Sequence, residues 1–483
     1  MQWADDLTRW FEDAQAGVGR AFEPTLRLGV TGLSRAGKTI FITSLVANLL
    51  ARGRMKGLVA EREGRILAAM LAPSPDREAP RFDFERCRDA LYAAEPSWPE
   101  STRSISQLRL SIRYRPGGFL GQLSGALTGD AALHLDIIDY PGEWLLDLAL
   151  LPQSYAAWSE ATLATAEARR ARIPAAGDLV DWARAAPAEA PYQEADAQAG
   201  AARLRAYLAA AREAGFSGLA PGRFLLPGEL EGAPALTFAP LPPPDRRAPA
   251  GALHTECAER FEAYKRVVAK PFFTDHFARL DRQIVLVDAL SALSRGREAV
   301  ADLSAALTEI LAAFRPGSRS AALAWLAPIL GRRIDRVLLA ATKADHVHHR
   351  YHPALQRLVS DLLARTIDRA AFQGAEVQAM AIAAVRATVE EEIRQNGPFG
   401  GGLIGQAALP AVRGRLAETA KEARLFAGEP PETLAALSDA GWGDGDFAAA
   451  AFAPPRLERR DGEGPPHLRL DAALQFLIGD RLA

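Results

Sequence analysis

Cysteine is almost missing from this chain: Cys87 and Cys257 are the two in 483 residues. That excludes a disulfide framework and fits a reducing compartment. Charge of one sign is missing too. The 57 Lys and Arg stand against 59 Asp and Glu, a net charge of −2. Composition therefore makes no global electrostatic case for binding nucleic acid or an anionic membrane. No apolar run approaches the ~20 residues of a membrane span. The start, Met1-Gln2-Trp3-Ala4-Asp5-Asp6, is acidic and lacks a signal peptide's basic start and apolar core. These absences lead to the expectation of a cytoplasmic protein with no transmembrane segment and no nucleic-acid partner, able to reach a membrane surface through a partner. The remainder, 49% hydrophobic and 24% charged, is ordinary for a globular chain. Its length allows two or three domains at ~100–200 residues each.

What is present centres on Gly32-Leu33-Ser34-Arg35-Ala36-Gly37-Lys38-Thr39, which reads G-x-x-x-x-G-K-T. An apolar, β-branched run precedes it and a helix-like run, Ile40 to Leu50, follows. This strand–loop–helix setting is what the phosphate-binding loop requires. Gly32 and Gly37 let the backbone curl round an anion, and its N–H groups with the positive end of the helix offer a nest for phosphate oxygens. The loop residues from Gly32 through Ser34, Arg35, Ala36 and Gly37 to Lys38, Thr39 and Ile40 are the expected phosphate contacts. Lys38 is expected to neutralise the β- and γ-phosphates, and the Thr39 hydroxyl to hold Mg²⁺.

Along the chain, residues 1–23 read as an amphipathic N-terminal helix, with Trp3, Leu7, Trp10 and Phe11 at helical spacing. Packing on the domain is favoured over a membrane-surface role, because its other face carries as many acids as bases. Residues 53–100 read as a polar connection with helical patches near 61–72 and 84–94. Ser104 to Tyr114 alternates as a half-buried strand should, and Ala132 to Ile138 is a more continuous, more central strand. Residues 145–280 are rich in Ala, Leu and Arg and read as a helical insertion subdomain. It contains Pro221 to Gly228 and the Pro-rich linker Leu241-Pro242-Pro243-Pro244. Gln283 to Val287, Asp335 to Ala341 and Val377 to Ala383 are strands alternating with helices, the mark of a parallel sheet with crossover connections. The expected divisions are 24–144 and 281–395 for the two parts of one core, 145–280 for the insertion, and 396–483 for a C-terminal accessory segment packing on the core.

Two further motifs fall at strand ends. Asp139-Tyr140-Pro141-Gly142 reads D-x-x-G, placing Asp139 as a magnesium ligand and the Gly142 N–H near the γ-phosphate. Thr342-Lys343-Ala344-Asp345 matches [NT]-K-x-D. The Asp345 carboxylate can accept from both guanine N1–H and N2–H₂, whereas adenine presents an acceptor at N1. The Lys343 stem can cover the base plane. The order of these motifs is that of a Ras-like GTPase, with 145–280 inserted between the third and fourth strands. The fold class expected is therefore α/β, a Ras-like P-loop NTPase core with a mostly parallel sheet. The first switch should hold a magnesium-bound hydroxyl; Thr102 is best placed, with Ser101 and Ser104 as rivals. Arg103 or Arg35 could act as a cis arginine, although a surface Arg is the plainer reading of each. Glu143 stands where such enzymes often carry a water-positioning Gln, so slow intrinsic hydrolysis, accelerated by a partner, is expected. Ala383, Ala384 and Val385 are the candidates for the loop that closes on the base. Asp288 ends a strand and either lines the site or is simply solvated. His346, His348, His349 and His352 lack paired metal-ligand spacing and read as solvated or capping residues.

Gly32 to Thr39, Asp139 to Trp144, Pro221 to Gly228, Ala341 to Asp345 and Leu468 to Leu482 together resemble the YcjX-like (DUF463) family of bacterial P-loop proteins. That resemblance implies GTP or GDP binding with Mg²⁺, a stress-related role, and association with a membrane-protein partner that would bring the chain to the inner membrane. The family is sometimes labelled ATPase, which conflicts with the chemistry of Asp345. A P-loop ATPase with an assembly or mechanical role and a nucleotide-stabilised scaffold remain the alternative readings.

Overall fold

The computed structural model describes residues 24–33, 35–74, 76–77, 79–100, 104–117, 130–244, 248–275, 279–313, 334–367, 375–393, 409–438 and 443–483. The expected N-terminal helix, Ser34, Ser101, Thr102, Arg103 and the glycines at 400–402 lie outside these residues.

Seven strands form the main sheet: β1 (Thr25–Gly32), β2 (Ile66–Ala72), β3 (Ser106–Tyr114), β4 (Ala131–Asp139), β5 (Arg282–Val287), β6 (Arg336–Ala341) and β7 (Glu376–Ala381), in the order β2-β3-β4-β1-β5-β6-β7. β1 pairs in parallel with β4 and β5, and β5, β6 and β7 continue in parallel. β3 is antiparallel to both its neighbours. The central strand is thus the one that carries the phosphate loop, and β1, β4, β5 and β6 all point their C-terminal ends to one edge. That edge is where an open α/β sheet binds ligands.

β2 corrects the sequence reading, which expected helix near 61–72. A short helix, Val59–Arg62, is followed by a strand. Ile66-Leu67-Ala68-Ala69-Met70-Leu71-Ala72 is composed of good helix formers and shows no alternation, so local propensity misleads. Pairing with β3 along Ala68 to Ala72 decides the outcome, which is tertiary context overriding a weak prior.

Alternation within the strands divides the core into two layers. Leu28 and Val30 of β1, Leu135 and Ile137 of β4, and Ile284 and Leu286 of β5 face α1 (Lys38–Ala51). The C-terminal helix Leu470–Ile478 lies in the same layer through Leu470, Leu474 and Leu477. Val285 and Val287 of β5 and Val337 and Leu339 of β6 face the opposite layer. There they meet the helix Arg297–Ala313 through Leu303 and Leu307, and His352–Ile367 through Leu355 and Leu358.

Between β4 and β5 the helices α2 (Tyr155–Arg169), α3 (Pro174–Ala185), α4 (Glu194–Glu213) and α5 (Leu253–Tyr264) surround a cluster of their own. Its centre is aromatic: Trp158 stacks on Phe261 at 5.0 Å and meets Phe238 edge-on at 5.4 Å. The Pro-rich stretch is packed into this cluster through Leu241. A second, three-stranded sheet has the order β10-β9-β8, from β8 (Thr388–Ile393), β9 (Leu409–Arg415) and β10 (Glu422–Leu425). Nothing in the sequence reading anticipated it. The remaining long helices of the two core layers are α6 (Arg297–Ala313), α7 (His352–Ile367) and α8 (Leu470–Ile478).

Candidate nucleotide site

The chain leaves β1 at Gly32 and enters α1 at Lys38. Gly37 caps that helix with φ +84°, a left-handed backbone suited to glycine. No side chain caps the helix and no acid lies in its first turn. The first-turn N–H groups and the positive end of the helix dipole thus meet no carboxylate of their own, the arrangement an anion site needs. Arg35 also takes a left-handed φ of +64°, unusual for a residue with a Cβ.

β4 delivers Asp139 opposite Val30 of β1. Asp139 is 1% exposed, and neither of its oxygens has a hydrogen-bond partner among the described residues. The Lys38 ammonium lies 3.4 Å from Oδ1. A buried carboxylate so sparsely satisfied is expensive unless a cation or donor joins it. The chain then turns through Tyr140, whose hydroxyl donates to Gln283 at 2.6 Å and whose ring meets Phe272 edge-on. At Gly142 any Cβ would lie 2.4 Å from the Gly32 carbonyl oxygen, so only glycine lets this turn lie against the phosphate loop. Glu143 follows, 5% exposed, with Oε1 3.4 Å from Arg212 Nη2.

Beyond β6, Thr342 donates its N–H to Val287 at 2.9 Å. Lys343 turns with φ +59°, and its ammonium bonds Asp288. Burial pushes the Asp288 carboxyl up, but the Lys343 charge and the Ser291 donors outweigh it and hold Asp288 below the usual carboxylate range. Asp288 therefore does line the site. Asp345 is 4% exposed, and its Oδ2 accepts from Ala387 N–H at 2.7 Å. Ala384 accepts from Ser44 of α1, so the loop after β7 is tied to the helix that follows the phosphate loop.

Most of these groups line one cavity of about 1230 Å³, whereas Asp139 and Gly142 are not among its lining residues. Gly32, Arg35 to Ile40, Glu143, Thr342, Lys343, Asp345, Ala384 and Val385 all line it. Thr102 and Ser34 lie outside the described residues, while Ser104 is exposed ahead of β3. His352 is buried and structural: its Nε2–H donates to Ala344 O at 2.7 Å, and Nδ1 accepts from Arg469. His348 accepts from Arg350 N–H, a cap, and His349 lies 2.8 Å from Glu390.

Two walls of the cavity, and the detail of a brace behind it, escaped sequence reasoning. Arg212 arrives from the last turn of α4. Trp98 lines the cavity and donates to Phe452 O at 2.8 Å. The C-terminal segment braces the base side: Leu468 exchanges two backbone hydrogen bonds with Ala383, Arg386 N–H donates to Pro466 O, and Asn48 of α1 donates to Pro465 O. None carries a motif, since each depends on contacts between residues distant in sequence. The expectation that 396–483 packs on the core anticipated the brace in outline, without these contacts.

A mostly parallel sheet with a G-x-x-x-x-G-K-T loop at the tip of its central strand defines a Ras-like P-loop protein. Within that class the chain belongs to the YcjX-like family, DUF463, whose model matches residues 26–482. It is 37% identical, over 99% of its length and 100% of the relative's, to an Escherichia coli K12 protein named Ras-like GTPase YcjX. A Shewanella oneidensis protein of the same name is 37% identical over 98% of this chain and 97% of its own length.

Proposed function

We propose that this chain is a Mg²⁺-dependent GTP-binding protein that hydrolyses GTP and works as a conformational switch. The observation that carries the reading is the convergence of Lys38 and Thr39, Glu143 and Asp345 on one cavity. The names of its relatives agree with it. Lys38 and the loop amides hold the β- and γ-phosphates, for which Lys38 leaves Asp139. Thr39, Asp139 and Thr102 are the groups that would hold Mg²⁺, and the oxygens of Asp139, which lack hydrogen-bond donors and already face the Lys38 ammonium, fit a cation. Bound Mg²⁺ supplies charge neutralisation across the phosphate oxygens.

Asp345 selects the base. Its two oxygens carry about four acceptor sites, so the bond from Ala387 N–H leaves capacity for the guanine N1–H and N2–H₂. Ala384 and Val385 close over the base edge. Gly142 reports the γ-phosphate, and Glu143 orients water less well than an amide would, which keeps intrinsic hydrolysis slow. In this reading residues 24–144 and 281–395 form the nucleotide domain, 145–280 the responding subdomain, 396–483 a supporting segment and 1–23 a packed helix. The stress-related role, the inner-membrane location and the membrane-protein partner come from the family resemblance.

Nucleotide competition against a fluorescent GDP tests the base assignment. The wild type should prefer GTP to ATP and XTP. Asp345→Asn should shift preference toward xanthine nucleotides, because Asn donates where the xanthine carbonyl accepts. An unchanged preference, or ATP competing as well as GTP, overturns the reading.

A further inference from the structure

The GTPase reading leaves one pairing unexplained. Glu143 sits directly after the turn that would face the γ-phosphate, where a carboxylate is electrostatically unwelcome. The structure brings it an arginine from about 70 residues further along the chain. Arg212 lies in the last turn of α4, where the helix dipole favours a cation. Its side chain is 29% exposed, and it lines the cavity shared with Lys38 and Thr39.

The position of Arg212 is set by packing. Leu208 and Ala211 are buried in the insertion's cluster, and so is Phe216 just beyond the helix. At Gly215, φ +95°, the Arg295 side chain occupies the space a Cβ would need. Arg295 itself donates to Ser291 O. The end of α4 is thus wedged against the wall of the cavity. The same insertion grips the segment carrying Glu143: Gly222 N–H donates to Asp147 at 2.6 Å, and the Arg223 guanidinium lies 3.2 Å from the Trp144 ring centre.

Resting on the GTPase reading, we propose that Arg212 is the built-in charge-stabilising arginine of GTP hydrolysis, engaged by Glu143 until the γ-phosphate competes for it. In that reaction a water oxygen bonds to the γ-phosphorus. The bond to the β–γ bridging oxygen breaks, its electron pair stays with GDP, and the water's proton ends on the released phosphate. Negative charge moves toward the bridging oxygen, and a guanidinium placed beside it stabilises that shift. Glu143 is both the resting partner of Arg212 and the γ-phosphate's competitor for it. Hydrolysis then depends on how far the insertion lets Arg212 swing from carboxylate to phosphate.

The experiment uses the full chain with Mg²⁺. It measures single-turnover GTP hydrolysis, together with trapping of fluorescent GDP by aluminium fluoride, a mimic of the transferring phosphoryl group. Arg212→Ala should bind GDP as the wild type does, lose aluminium fluoride trapping, and hydrolyse GTP slower by ~10³-fold, the lower end of what such an arginine supplies. Arg212→Lys should recover part of the trapping. Glu143→Gln should speed hydrolysis by a larger factor when Arg212 is present than when it is Ala. If Arg212→Ala fails to fold, Arg212→Gln carries the same expectations. Trapping and hydrolysis at wild-type levels in the Arg212 variants overturn this assignment and leave the GTPase reading intact. A wild type that binds no GTP overturns both.

Discussion

Asp147 shows how a single residue can set a pH dependence. It is fully buried, accepting from Gly222 N–H at 2.6 Å and from the Tyr264 hydroxyl at 2.7 Å. Burial raises its pKa from 3.8 to about 7, against the opposing pull of those two donors and of Arg223. The folded state therefore favours the neutral acid. The stability this contributes is complete below the ordinary carboxyl pKa and is lost as pH rises through about 7. Asp147→Asn cannot ionise. Thermal melts from pH 4 to 8 should show the wild type losing stability with rising pH relative to Asp147→Asn; parallel curves would show that Asp147 does not titrate in this range. No spacing rule flags such a residue. Lys38, Asp139 and Asp345 were legible because each lies within a few residues of a strand end, where local backbone fixes the chemistry. Arg212 and Asp147 acquire their roles from partners far along the chain, and Asp288 reads two ways in the sequence because its partner, Lys343, is 55 positions away.

Among the elements, the strands and helices with a clear period were legible to within a few residues. Ser154 caps α2 by accepting from Ala157 N–H, and Pro174 opens α3, both local signals. β2 and the second sheet were not legible, because pairing across the sheet creates them. The helix α8 lies between these cases: its apolar period is plain, but its destination is not. It joins the α1 layer of the core. Gly57 N–H and Val59 N–H donate to its Asp471 and Gln475, and the buried Arg282 binds Asp480 just beyond it. Leu474, 1% exposed, should cost ~2–5 kcal/mol when truncated to Ala. Chemical denaturation measures this directly. A loss below 1 kcal/mol, well under the range for a core leucine, would place α8 outside the cooperative core.

For the molecule as a whole, two of the contacts that fasten the insertion bear on nucleotide state. One is the Asp147–Gly222 and Trp144–Arg223 contact beside the proposed γ-phosphate sensor. The other is on α6, where Arg169 binds Asp302 at 2.6 Å while lying over the Phe216 ring. A shift in residues 139–147 must therefore be passed to Pro221–Phe224 or break buried hydrogen bonds. Hydrogen exchange should be slower across 221–226 with a non-hydrolysable GTP analogue than with GDP, or faster, but not equal; equal exchange would show that the contact does not carry nucleotide state. The brace that Pro465 to Leu468 lays across α1 and the β7 loop has another consequence. It ties Asn48 to Pro465, 417 positions further on, and Ala383 to Leu468, so cutting the chain ahead of Pro465 should unsettle the candidate base pocket while every residue of the phosphate loop is still present.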